Sequence, residues 1–220
     1  MQFTDRHEAG KRLAERLLSF KDKNPVVLAL PRGGVPIGFE IARALAAPLD
    51  LVLVRKIGAP FQEELAIGAI ADGKQPELVT DPYLMASLDV SHEYLKEAKA
   101  AAPQEIERRR RVYFGDRPPV EITGCTAIVV DDGIATGATM LAALRATRRR
   151  KPARLVLAVP VAPHHTLAKL QSEVDESVCL DTPADFFAVG QFYRRFPQLR
   201  DEEVTVLLDQ ARAFVPAAQT

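Results

Sequence analysis

Between residues 126 and 139 the chain runs without a break from an apolar stretch into two adjacent carboxylates and then into a glycine-bearing loop: Thr126-Ala127-Ile128-Val129-Val130-Asp131-Asp132-Gly133-Ile134-Ala135-Thr136-Gly137-Ala138-Thr139. A strand without polar alternation is covered on both faces, as in a parallel sheet flanked by helices. Helical spacing resumes from Met140 to Arg149, so the segment is strand, loop, helix. In open α/β sheets such a loop lies at the carboxyl edge, where ligands bind.

The rest of the chain repeats the pattern. Ala9, Leu13, Leu17 and Leu18 mark a helix over 5–20, ended by Asn24-Pro25. Val26 to Leu30 is an apolar strand, followed by a turn, Pro31-Arg32-Gly33-Gly34-Val35-Pro36, and a helix from Ile37 to Ala46. A strand is expected from Leu49 to Val54, ending in Arg55-Lys56, then a loop from Ile57 to Leu65 and a strand over 66–70 that turns at Asp72-Gly73. Ser91 is placed to cap a long charged helix over 91–111, which Pro103 is expected to kink or divide. Leu155 to Val161 is a further strand and Thr166 to Gln171 a short helix. Alternating strands and helices give an α/β fold with a parallel sheet. The segment from Cys179 to Phe196, rich in Phe and Tyr and broken by Pro183 and Gly190, is expected to be an irregular lobe.

The loop after the acidic pair suits a phosphate. A helix N-terminus offers unpaired amides and the positive end of a dipole. Gly133 and Gly137 let the backbone come close, and Thr136 and Thr139 add hydroxyls. Asp131 and Asp132 would repel that phosphate, so they need another partner. Vicinal sugar hydroxyls fit, as does a magnesium ion that those hydroxyls also touch. A P-loop is excluded because the segment has no lysine, and a dinucleotide fingerprint because Gly133-x-x-x-Gly137 has the wrong spacing. An aspartyl phosphatase would need Asp-x-Asp, which is absent.

Ile128 to Thr139 resembles the motif of type I phosphoribosyltransferases that binds 5-phosphoribosyl-1-pyrophosphate (PRPP). The resemblance implies a twisted, mostly parallel sheet flanked by helices with a small hood lobe. One domain over 1–220 is expected, its core about 20–175 and its hood the N-terminal segment plus about 176–200. It also implies that Asp131 and Asp132 hold the ribose hydroxyls and touch Mg2+ indirectly, and that Gly133, Ala135, Thr136, Gly137, Ala138 and Thr139 cradle the 5-phosphate. Leu30-Pro31-Arg32-Gly33-Gly34 resembles the family's pyrophosphate loop, in which a non-proline cis peptide is common. Arg32, Gly33, Gly34 and Lys56 would then meet the leaving pyrophosphate, and Arg32 and Lys56 would act with the two aspartates in catalysis. Residues 58–64 stand where the family has a mobile lid.

The implied activity is Mg-dependent transfer of the 5-phosphoribosyl group to a nitrogenous base of purine type, with release of pyrophosphate. A PRPP-sensing regulator without turnover is the alternative. Phe187, Val189 and Tyr193 are candidates to contact the base, against a plain hydrophobic cluster. Arg108 to Arg111 reads as a solvated face or a subunit contact, and Arg148 to Lys151 as helix-end cations. His164 and His165 are a loop pair or face the site. Lys and Arg number 29, as do Asp and Glu, so no net field recruits nucleic acid. No apolar run nears the ~20 residues of a membrane span, and the charged N-terminus lacks a secretory core. Cys125 and Cys179 are expected as free thiols. A cytoplasmic homodimer is expected.

Overall fold

The computed structural model describes residues 2–72, 77–115 and 117–215, without the side chains of residues 63, 64 and 77. The turn expected at Gly73 lies outside the described residues. In chain order the elements are α1 (Arg6–Leu17), β1 (Pro25–Ala29), α2 (Gly34–Leu45), β2 (Leu49–Leu51), β3 (Val54–Ala59), β4 (Gln62–Ala71), β5 (Glu77–Thr80), α3 (Pro82–Ser87), α4 (His92–Phe114), β6 (Thr126–Val130), α5 (Ala138–Arg149), β7 (Arg154–Val161), α6 (His164–Gln171), β8 (Glu176–Asp181) and α7 (Asp201–Ala211). Among these residues no helix is long and apolar enough to cross a membrane.

A five-stranded parallel sheet in the order β2-β1-β6-β7-β8 forms the centre. Every residue of β1 and β6 is buried. Successive side chains point to opposite faces. Leu28, Val129 and Leu157 therefore join one apolar cluster with Met140 and Leu144 of α5, while Val27, Ile128 and Val156 join another with Leu13 of α1 and Ile41 of α2. The continuous apolar runs exist because both clusters draw on them.

Several elements differ from expectation. β2 ends at Leu51, and the chain passes through Val52 and Leu53 into β3, which leaves the central sheet. β3, β4 and β5 form a separate antiparallel sheet in that order. Residues 57–65, expected as a loop, are the hairpin β3–β4, with register shifts on either side of Gly58 that blur the alternation. Pro103 neither ends nor divides α4, which runs 23 residues. β8 belongs to the central sheet, so the core extends to Asp181 and the hood begins after it. α7 was not foreseen. Cys125 and Cys179 are both free.

The hood joins residues 3–5 to residues 192–195. Phe3 bridges to Tyr193, its amide donates to the Phe192 carbonyl at 2.7 Å, and its own carbonyl accepts from Arg194 N–H at 2.8 Å. Asp5 caps α1 by accepting from Glu8 N–H at 3.0 Å and also takes Arg195 Nη2 at 2.7 Å. Such a cap contributes about 1 kcal/mol.

Candidate functional site

β1 and β6 are paired in register through Ala29 and Val130. The loops that follow them therefore leave the sheet side by side. The peptide bond between Pro31 and Arg32 is cis. A Cβ placed on Gly33 would stand 2.1 Å from Asp132 Oδ2, so only glycine lets the 31–34 loop lie against the second carboxylate.

The 133–139 loop turns into α5 at Gly137, whose φ of 86° lies in the left-handed region. No side chain caps α5. Among the described residues, no acceptor takes the amides of Ala135, Thr136, Gly137, Ala138 or Thr139. Thr166 Oγ1 steadies the loop by donating to the Ala135 carbonyl at 2.9 Å. The Ile134 amide is already bonded to Val161 O at 3.0 Å. The result is an exposed nest of N–H groups at the positive end of a helix, suited to a phosphoryl group.

Asp131 and Asp132 are partly buried. Asp131 Oδ1 accepts from the Asp132 amide at 2.8 Å, and the two carboxyl groups also hydrogen-bond each other. Burial and the neighbouring Asp132 carboxylate push Asp131 well above the usual carboxylate range. Burial also raises Asp132, but Arg6 opposes it. Arg6 Nε donates to Asp132 Oδ2 at 2.8 Å, Nη1 donates to Pro197 O at 2.9 Å, and the guanidinium lies 3.8 Å from the centre of the Phe196 ring. Tyr193 Oη donates to the Asp132 carbonyl at 2.6 Å. The hood therefore grips Asp132 at its carboxylate and at its backbone. The family motif carries no signal for Arg6, which comes from 126 residues upstream.

A model of the phosphoribosyl transferase domain matches residues 3–194. The chain belongs to the phosphoribosyltransferase family. A Mycobacterium tuberculosis protein that carries the provisional name phosphoribosyl transferase is 47 % identical over 216 residues, 98 % of this chain and 48 % of that one. This chain thus spans about half the length of that relative. The bifunctional protein PyrR of Chloroflexus aurantiacus is 34 % identical over 137 residues, 61 % of this chain and 68 % of that one. A solved structure of a Thermus thermophilus protein is 42 % identical, with a TM-score of 0.77 and coverage of 96 % of this chain and 99 % of that one.

Against the phosphoribosyltransferase pattern, Arg32, Gly33 and Asp132 share one cleft. Arg32 is 40 % exposed and stands 4.0 Å from Asp201 at the start of α7; Asp201 in turn accepts from Tyr113 Oη at 2.5 Å. Lys56 does not close β2 as expected. It stands within β3, opposite Ala69, exposed on the small sheet. Of the three candidates for base contact, Val189 walls the cleft. Phe187 is 89 % exposed and does not. Tyr193 is buried and its hydroxyl is engaged with Asp132, so it serves the hood rather than offering a face to a base. His164 and His165 open α6 as exposed residues. The Arg108–Arg111 run forms ion pairs with Glu105 and Glu107 of its own helix and with Asp72.

Proposed function

We propose that the protein transfers the 5-phosphoribosyl group of PRPP to a nitrogenous acceptor and releases pyrophosphate. The observation that carries this is the unpaired amide nest of residues 135–139 directly after the acidic pair, beside a glycine loop on the neighbouring strand end. One ligand with a phosphate at one end, a diol in the middle and a diphosphate at the other matches that order. The amide nest holds the 5-phosphate, and the Asp131–Asp132 pair accepts from the ribose hydroxyls. The 31–34 loop and Arg32 meet the diphosphate as its charge grows on leaving, where fixed positive groups are most effective. Lys56 adds a further charge from the small sheet.

Among the described residues no group of three or more His, Cys, Asp or Glu side chains makes a metal cage. Mg2+ commonly takes one or two carboxylates and completes its shell with water and substrate oxygens. Asp131, which has no salt-bridge partner among the described residues, fits an ion that arrives with PRPP; Asp132, paired with Arg6, fits it less well. When bound, Mg2+ would neutralise diphosphate charge. The same reading makes the protein a cytoplasmic homodimer.

Calorimetric uptake of PRPP with Mg2+ and release of pyrophosphate across a panel of bases test the proposal. The double variant Asp131→Asn, Asp132→Asn should lose both; full turnover in it ends the assignment. Uptake of PRPP with no product from any base would instead favour a PRPP-responsive regulator, a reading helped by the likeness to a protein named as bifunctional.

A further inference from the structure

The cleft below the hood has a volume of about 530 Å³. Its wall includes Arg6, Arg32, Gly33 and Asp132, with Val189 and residues 196–199 from the hood. We infer that this cleft takes an acceptor carrying an acidic group, a carboxylate or a phosphoryl, and that Arg6 selects it. The inference rests on the phosphoribosyl-transfer reading and names the substrate class for it.

Arg6 is the first reason. Its side chain is only 9 % exposed, and it is held on three sides by Asp132, Pro197 O and the Phe196 ring. A guanidinium presents five N–H donors in a rigid fork. Among the described residues nothing accepts from Arg6 Nη2, although Arg6 lines the cleft. Arg6 Nη2 is not among the buried unpaired atoms, so it meets the cleft's solvent, where an anionic ligand oxygen can take the place of water in a charge-assisted hydrogen bond.

The balance of charge is the second reason. The wall places two guanidinium groups against one carboxylate. Arg32 stands 4.0 Å from Asp201 and belongs to the diphosphate on the transfer reading, which leaves Arg6 as the cation of the wall that can meet an acceptor. The donor's phosphates already have the 135–139 nest and the 31–34 loop. Arg6 enters from α1, on the hood side, where the acceptor rather than the donor would lie.

The aromatic rings supply the third. A neutral planar base is commonly held by stacking, but one face of Phe196 lies under Arg6, and its ring stacks on Tyr193 with centroids 4.9 Å apart. Phe186 and Phe192 pair with each other at 5.3 Å. No free ring face among the described residues walls the cleft, so charge is left to discriminate between acceptors.

The test titrates the full chain, with and without PRPP and Mg2+, against two matched pairs that differ by one carboxylate: uracil and orotate, nicotinamide and nicotinate. The acidic member of at least one pair should bind about tenfold more tightly, as expected for one charge-assisted hydrogen bond. Arg6→Met should bring that ratio near one, and Arg6→Lys, which keeps the charge but not the fork, should retain part of it. If Arg6 were only a counterion for Asp132, its loss would weaken both members alike and leave the ratio standing. That outcome overturns the inference, as does a ratio near one in the wild type for both pairs, absent uptake included. Preference for the acidic member without PRPP uptake would sink the transfer reading and leave this one standing. PRPP uptake with no preference would do the reverse.

Discussion

The central parallel sheet and the small antiparallel sheet are built under opposite conditions of burial. β1 and β6 are buried throughout, between helices on both faces. β3 alternates buried and accessible positions, and Phe61 at the β3–β4 turn is fully exposed. α4, which packs beside β3, buries only Ala102, Ile106, Tyr113 and Phe114 along its length. The loops that set distances, 31–34 and 131–139, spring from the first region. The second carries Lys56 on a strand that is exposed at that position. Backbone geometry is thus fixed where packing is densest.

The contrast can be broken most directly at a core position. Leu157→Ala removes a fully buried side chain from β7 and should cost about 3 kcal/mol in urea unfolding, while Phe61→Ala should stay within about 0.5 kcal/mol. Equal losses at the two positions would erase the distinction. Next in size, Lys56→Ala should lower turnover by about 100-fold, the scale of one lost charge on a leaving group, with no drop in melting temperature. A fall in stability without loss of rate would make Lys56 a structural residue.

The smallest expected effect concerns the acidic pair. Burial raises Asp131 above its ordinary value of 3.8 in the folded protein, so the fold holds that proton more tightly than the unfolded chain does. Stability without ligand is then greatest at low pH on this account and falls as pH rises through the elevated value. Asp131→Asn should flatten that decline and melt higher at neutral pH while losing PRPP. A melting curve with unchanged pH dependence would show that the carboxylate is not held under strain of charge.

The sequence is most readable where burial is uniform. β1, β6 and β7 are visible as apolar runs because both faces are covered, and the 131–139 loop is visible because an acidic pair, glycines and hydroxyls crowd one strand-to-helix turn. β2, β3 and the hairpin blur together because Leu49 to Val54 is apolar throughout, although the chain changes sheet within it. Register shifts at Gly58 hide the hairpin's alternation. Arg6 was illegible for another reason: in sequence it is one cation on an amphipathic helix, and only the return of residues 192–197 over the sheet gives it Asp132, Phe196 and Pro197. Tyr193 misled in the opposite sense, since an aromatic suited to stacking is buried as a hydroxyl donor instead.

The pairing of Phe3 with residues 192–194 bears on how the molecule is made. Nearly two hundred residues of chain separate Phe3 from the segment it pairs with. Contacts of such long sequence separation form late and slowly. All five strands of the parallel sheet precede residue 192, yet until that later segment folds back Arg6 has neither the Phe196 ring nor the Pro197 carbonyl to lean on.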